Sequence, residues 1–113
     1  MKLLFLIPPQ IIRSTDGIDV APTVSIPLGS LYMAAYLRKM EWAGDMRVYD
    51  ARLGAKTTSY PDGSTTFGDS WDDVAQTIRQ YAPDVVAISN MFSWQIQGAL
   101  DAARISKKTI PEA

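Results

Sequence analysis

The chain opens on Leu3-Leu4-Phe5-Leu6-Ile7, five apolar residues without alternation. A strand covered on both faces reads this way, as in a parallel sheet with helices on either side. Pro8-Pro9 closes the run, because consecutive prolines cannot donate to a ladder. A connection of about nineteen residues then runs from Pro8 to Ile26, with Asp16-Gly17 as its turn. Ordinary strand-to-helix loops have about two to six residues, so one this long is marked as functional or disordered.

Pro27 suits the first turn of a helix over Leu28 to Ala43. Leu31, Ala34, Leu37 and Met40 share one stripe, and the first half is apolar on nearly every side, which predicts deep packing. Gly44 is the expected stop. Met46 to Tyr49 reads as a short second strand with Asp50 at its carboxyl end. Residues 51–70 look irregular, apart from a hairpin in which Thr57–Tyr60 and Ser64–Phe67 flank a Pro61-Asp62-Gly63 turn. Ser70 then caps an amphipathic helix over 71–81, with Trp71, Val74, Ala75, Ile78 and Tyr81 on its inner stripe. Pro83 ends it. Asp84 to Ser89 is the third strand, and Ser93 is the expected cap of a last helix whose inner face is Ile96, Ala99, Leu100 and Ala103. Lys107 and Lys108 near its end suit the helix dipole.

The order β-α-β-hairpin-α-β-α predicts an α/β fold with a parallel, right-handed, three-layer sheet. Three strands make an incomplete open sheet with one apolar edge exposed, which natural proteins avoid. The expectation is therefore that residues 1–113 are the amino-terminal part of a larger domain. Either the remaining domain of a parent chain or a second copy would cover the third strand.

Composition sharpens this by exclusion. The 113 residues contain no cysteine and no histidine. The chain thus supplies no disulfide, thiol nucleophile, cysteine-held cluster, imidazole base or Ser-His-Asp triad. Eleven basic and twelve acidic residues give a net charge of -1, which favours neither nucleic acid nor an anionic membrane as partner. The longest apolar stretch is far short of the roughly 20 residues of a membrane span, and no small-residue cleavage site follows it. The expected compartment is the cytoplasm.

An open parallel sheet takes ligands beyond the carboxyl ends of its strands. No G-x-G-x-x-G follows the first strand and no P-loop occurs, so Asp50 reads as a solvated strand-end carboxylate before it reads as a ribose ligand. A phosphoacceptor domain would need an acidic pair after strand one, where Pro-Gln stands, and an Asp after strand three, where Ser89-Asn90 stands. A flavodoxin phosphate loop would need Ser or Thr directly after strand one, and Ser14-Thr15 comes too late. What remains is apolar and aromatic. Met91, Phe92 and Trp94, with Pro8, Pro9 and Leu28, suit a broad flat ligand, and Gln10, Ser89, Asn90, Ser93 and Gln95 add polar groups. The same aromatics could equally pack in the core or beneath a neighbouring domain. The residues alone leave both readings open.

Ile26-Pro27-Leu28-Gly29-Ser30-Leu31-Tyr32-Met33-Ala34-Ala35-Tyr36-Leu37-Arg38, after a strand ending in Pro-Pro, resembles the start of the cobalamin-binding domains that precede a radical S-adenosylmethionine barrel. Val48-Tyr49-Asp50-Ala51, Pro83-Asp84-Val85-Val86-Ala87-Ile88-Ser89, Met91-Phe92 and Ala99-Leu100 continue the similarity over nearly the whole chain. The resemblance implies a flavodoxin-like (Rossmann-like) fold of strand order 2-1-3-4-5, of which 2-1-3 lies here. It implies a corrin over the carboxyl edge, with its dimethylbenzimidazole tail detached and tucked into the domain. The corrin-facing set would be Pro8, Pro9, Gln10, Leu28, Gly29, Ser89, Asn90, Met91, Phe92, Ser93 and Trp94.

The Asp-x-His-x-x-Gly motif of other cobalamin proteins is absent, as in this radical branch, so the chain has no imidazole for cobalt. S-adenosylmethionine and the 4Fe-4S cluster would belong to a downstream domain. The parent would be a methyltransferase or a ring-forming or ring-contracting enzyme, and this segment alone would not catalyse. The rival expectation is a non-enzymatic α/β interaction module using the Phe92/Trp94 edge as its interface.

Overall fold

A computed structural model describes all of residues 1–113. β1 (Lys2–Ile7) is the central strand of a parallel sheet, flanked by β3 (Asp45–Asp50) and β6 (Val85–Ile88). Phe5 faces Val48 on one side and Ala87 on the other; the pairing runs the whole of β1 with β3 and over Leu3–Leu6 with β6. The order β3-β1-β6 is the 2-1-3 arrangement that the resemblance implies.

The core lies on one face of this sheet. Leu4 and Leu6 are fully buried there against Val74, Ile78 and Tyr81 of α2 (Trp71–Tyr81) and Ala102 of α3 (Ile96–Thr109). α2 begins where the sequence predicts, because the Ser70 hydroxyl accepts from the Asp73 amide while the Asp73 carboxylate accepts from the Ser70 amide. The Lys56 ammonium beside it, together with the Ser70 bonds, holds the Asp73 carboxyl below the usual range. The helix ends at Ala82 in a left-handed cap. The Tyr81 hydroxyl donates to Asp45 at 2.9 Å, and burial pushes its pKa up to about 12, so it stays a donor.

The opposite face carries α1 (Leu28–Lys39), and here the expectation of deep packing fails. Ser30 is the helix's one buried residue, and Tyr32 and Tyr36 are 72% and 62% exposed. An apolar groove separates Tyr32, Met33 and Tyr36 from Leu3, Phe5 and Ala87 of the sheet. A helix that is apolar all round needs partners on more than one side. Within these residues its main neighbour is the sheet, chiefly β3. α1 also stops four residues short of Ala43, with Glu41 at φ 58°, so Gly44 is not its cap. Gly44 instead sits where a side chain would collide with the Met1 carbonyl and the Trp42 ring.

The remaining elements are partly as expected and partly corrected. Pro8-Pro9 interrupts pairing for two residues only, and β2 (Gln10–Arg13) follows at once. The Asp16-Gly17 turn brings the chain back, with Arg13 bridging Asp19, so the long connection is ordered at its start. The hairpin around Pro61-Asp62-Gly63 is present as β4 (Thr57–Ser59) and β5 (Thr65–Phe67). β2 pairs antiparallel with β5 to make a second, small sheet of order β2-β5-β4. Finally, α3 buries Gly98, Ala102 and Ser106, leaving Ile96 and Leu100 exposed. Small side chains allow close approach, and α3 is packed against α2, β6 and β2 at once. Ser93 lies in a 3-10 turn, Ser93–Gln95, and does not cap the helix, whose N-cap is Gln95 without a side-chain bond.

Candidate functional site

The carboxyl ends of β1, β3 and β6 meet at one edge of the parallel sheet. There Ile7 pairs with Asp50, and the Ser89 amide donates to the Leu6 carbonyl at 2.9 Å. A cleft opens over this edge. Its walls are Pro8 and Pro9 from the β1–β2 link, Gln10 at the start of β2, Ser25-Ile26-Pro27 from the long connection, and Ser89, Met91, Phe92 and Trp94 after β6. Gly98 of α3 closes one side, where a Cβ would stand 3.5 Å from the Pro9 carbonyl.

The aromatic pair is preformed. Phe92 and Trp94 stack with centroids 5.7 Å apart and planes 6° from parallel. They are 49% and 46% exposed, so the stack presents an open surface and is not part of the core. This resolves one side of the choice left open by the sequence: neither ring is a buried structural residue within this chain.

Of the sequence-derived set, Pro8, Pro9, Gln10, Ser89, Met91, Phe92 and Trp94 line the cleft together. Leu28, Gly29, Asn90 and Ser93 lie outside its lining. Gln10 has a different local task from offering its amide to a ligand. Its Nε2 donates to the Ala21 carbonyl at 3.0 Å and its Oε1 accepts from the Thr23 amide at 2.7 Å, which pins the connection.

Sequence reasoning missed Arg52. It follows β3 in a 3-10 turn, Ala51–Gly54, that Asp50 caps by accepting from the Arg52 amide at 3.1 Å. Asp50 is not solvated. Its two carboxylate oxygens accept from Arg52 Nε at 2.9 Å and Nη2 at 2.8 Å, and the two side chains are 5% and 9% exposed. The same Nη2 donates to the Ser25 carbonyl at 2.7 Å. Gln10 and Arg52 thus hold Ala21, Thr23 and Ser25, alternate residues of one extended segment, against the strand ends. The signal for this was Asp-x-Arg directly after a strand, a spacing that lets a bidentate pair close on itself. Gly68 lies beside the turn at φ 118°, where an added Cβ would collide with the backbone of Ala51 and Arg52.

What the cleft offers is apolar contact and hydrogen-bonding groups. Arg52 is the one ionisable lining residue, and its charge is balanced by Asp50. No group of three His, Cys, Asp or Glu side chains converges anywhere in the chain to hold a metal ion. No helix is long and apolar enough to cross a membrane.

No protein-family model matches this chain, and no solved structure matches it. Among curated proteins it is similar to cytidylyl-2-hydroxyethylphosphonate methyltransferase of Streptomyces wedmorensis, with 31% identity over 96 residues that take in 81% of this chain. The chain spans 18% of that relative's length.

Proposed function

We propose that this chain is the amino-terminal, cobalamin-binding part of a B12-dependent radical S-adenosylmethionine enzyme, most simply a methyltransferase. The observation that carries the reading is the open Phe92–Trp94 stack at the carboxyl edge of a 2-1-3 parallel sheet. A switch-point edge is where such sheets take ligands, and a broad flat macrocycle gains most from an exposed aromatic platform. The likeness to a methyltransferase supports the same class of chemistry.

The residues present suit a corrin. Met91, Phe92 and Trp94 offer apolar area, Pro8 gives a rigid rim above the buried Pro9, and Ser89 and Arg52 supply hydrogen-bond donors. Cobalt would arrive already held within the corrin, and this chain would bring it no imidazole. When bound, cobalamin would supply the methyl-carrying chemistry. This chain's residues would seat the macrocycle and exclude water from the face turned toward the sheet. S-adenosylmethionine and an iron–sulfur cluster would belong to another part of the parent protein. That part, or a second copy of this chain, would also cover the α1 groove and the free edge of β6.

A second reading, a protein-interaction module, draws on the exposed apolar face of α1. The two separate on the aromatic edge. Trp94→Ala and Phe92→Ala should each weaken hydroxocobalamin binding by about tenfold or more, since each removes partly exposed aromatic contact area. Because the stack is open to solvent, the melting temperature without cofactor should move by only a few degrees. Loss of stability with unchanged affinity in both variants would assign the stack to structure and move the corrin seat elsewhere, whereas no hydroxocobalamin binding by the unaltered protein would favour the interaction module.

A further inference from the structure

The donors of Arg52 are unevenly used. Nε donates to Asp50 Oδ1, and the two hydrogens of Nη2 go to Asp50 Oδ2 and the Ser25 carbonyl. Nη1 makes no hydrogen bond within the chain. Yet no sealed-off side-chain polar atom in the structure lacks a partner, so Nη1 is reachable from outside, and Arg52 lines the cleft. A guanidinium held rigidly on one edge by a carboxylate and a carbonyl offers its other edge as a fixed donor.

We infer that the free Nη1 edge of Arg52 is a specificity-determining donor that hydrogen-bonds a neutral carbonyl acceptor of the bound ligand, a side-chain amide at the rim of the corrin. The inference rests on the corrin reading of the cleft. The charge arrangement selects the acceptor. Asp50 lies against the same guanidinium and offsets much of its charge, so a phosphate or carboxylate brought to Nη1 gains far less than from an unpaired arginine while still losing its own hydration. A neutral amide oxygen costs much less to desolvate. It still gains a bond from an ion-paired but strongly polarised donor, in a cleft whose other side chains are largely apolar or proline.

The same residue also ties Ser25, so a plain loss of affinity would not separate recognition from loop anchoring. The test is a comparison of acceptors in the purified protein. Arg52→Lys keeps a cation for Asp50 and loses the second donor edge. Its affinity is measured for cobinamide, which carries the rim amides without the nucleotide phosphate, and for cobyrinic acid heptamethyl ester, where weaker ester acceptors replace the amides. Hydroxocobalamin, with both amides and phosphate, is the third probe.

The substitution should weaken cobinamide and hydroxocobalamin by about tenfold or more, the worth of one bond to a charged donor. The heptamethyl ester should lose clearly less. Equal losses for all three would make Arg52 a loop anchor only. A loss confined to hydroxocobalamin would give Nη1 to the phosphate, and no loss at all would leave it without a ligand. Each of these overturns the inference while leaving the corrin reading intact, whereas a wild-type protein that binds no corrinoid ends both. If Arg52→Lys does not fold, the Asp50→Asn/Arg52→Gln pair, which joins two neutral amides, carries the same comparison.

Discussion

Asp50→Ala should lower the stability of the protein by about 3–5 kcal/mol, the range for removing one partner of a buried ion pair. The cause is what it leaves behind. Arg52 would keep its charge with 9% of the side chain exposed and lose both hydrogen bonds to carboxylate oxygens. Its amide would lose the cap on the 3-10 turn as well. Domains of this size are stable by roughly 5–15 kcal/mol in total, so the variant should melt on the order of 10–20 °C lower or not fold. Replacing both partners, Asp50→Leu with Arg52→Met, should recover most of the loss, because an apolar pair of similar volume needs no compensation. A single-variant cost below about 1 kcal/mol, typical of solvent-screened surface pairs, would contradict the burial described here.

Gly68→Ala should be nearly as damaging, at about 3 kcal/mol, for a steric reason. At φ 118° an L side chain is strained, and a Cβ would stand 2.5 Å from the Ala51 carbonyl oxygen and 2.8 Å from the Arg52 α-carbon. Neither neighbour can yield freely. The Ala51 carbonyl accepts from the Asp69 amide at 2.6 Å, and the Gly68 amide donates to the Lys56 carbonyl at 2.8 Å. Relief would push the turn that carries Arg52. Gly63→Ala is the matched control, since φ there is 90° but nothing lies within 4 Å of the added carbon. It should cost only the backbone strain, about 1 kcal/mol. Equal losses for the two alanines, measured by chemical denaturation, would show that the close approach at Gly68 carries no energy.

The parts of this fold legible in the sequence are those where one physical signal dominates. Leu3–Ile7 has no polar residue, and only a strand covered on both faces tolerates that. Ser70 and Asp73 stand three apart before an amphipathic stripe, and the capping box forms there. The misread parts are those where tertiary context decides. In α3 the large residues Ile96 and Leu100 suggested the inner face, but Gly98, Ala102 and Ser106 are buried, because three elements crowd one side of the helix. In α1 uniform hydrophobicity implied burial, which needs a neighbour that these residues do not bring to it.

The site divides in the same way. The aromatic edge was legible because a strand-to-helix link is where parallel sheets bind, and Met91, Phe92 and Trp94 fall there. Arg52 was not, since a lone arginine in an irregular stretch has no periodic pattern. Its partner Asp50 read as solvated for want of any sign that residues 21–25 lie over it. The roles of Gln10 and Arg52 emerge only once that segment is in place, because both are spent holding its backbone.

The central claim, that the aromatic edge is a corrin seat without a protein ligand to cobalt, is tested most directly by titrating the purified protein with hydroxocobalamin. Tryptophan fluorescence should be quenched saturably through Trp94, and cobalt reduced to the divalent state should show a base-off spectrum without nitrogen hyperfine coupling from a protein side chain. Absence of saturable binding, or a hyperfine signal from a protein nitrogen, would contradict the account.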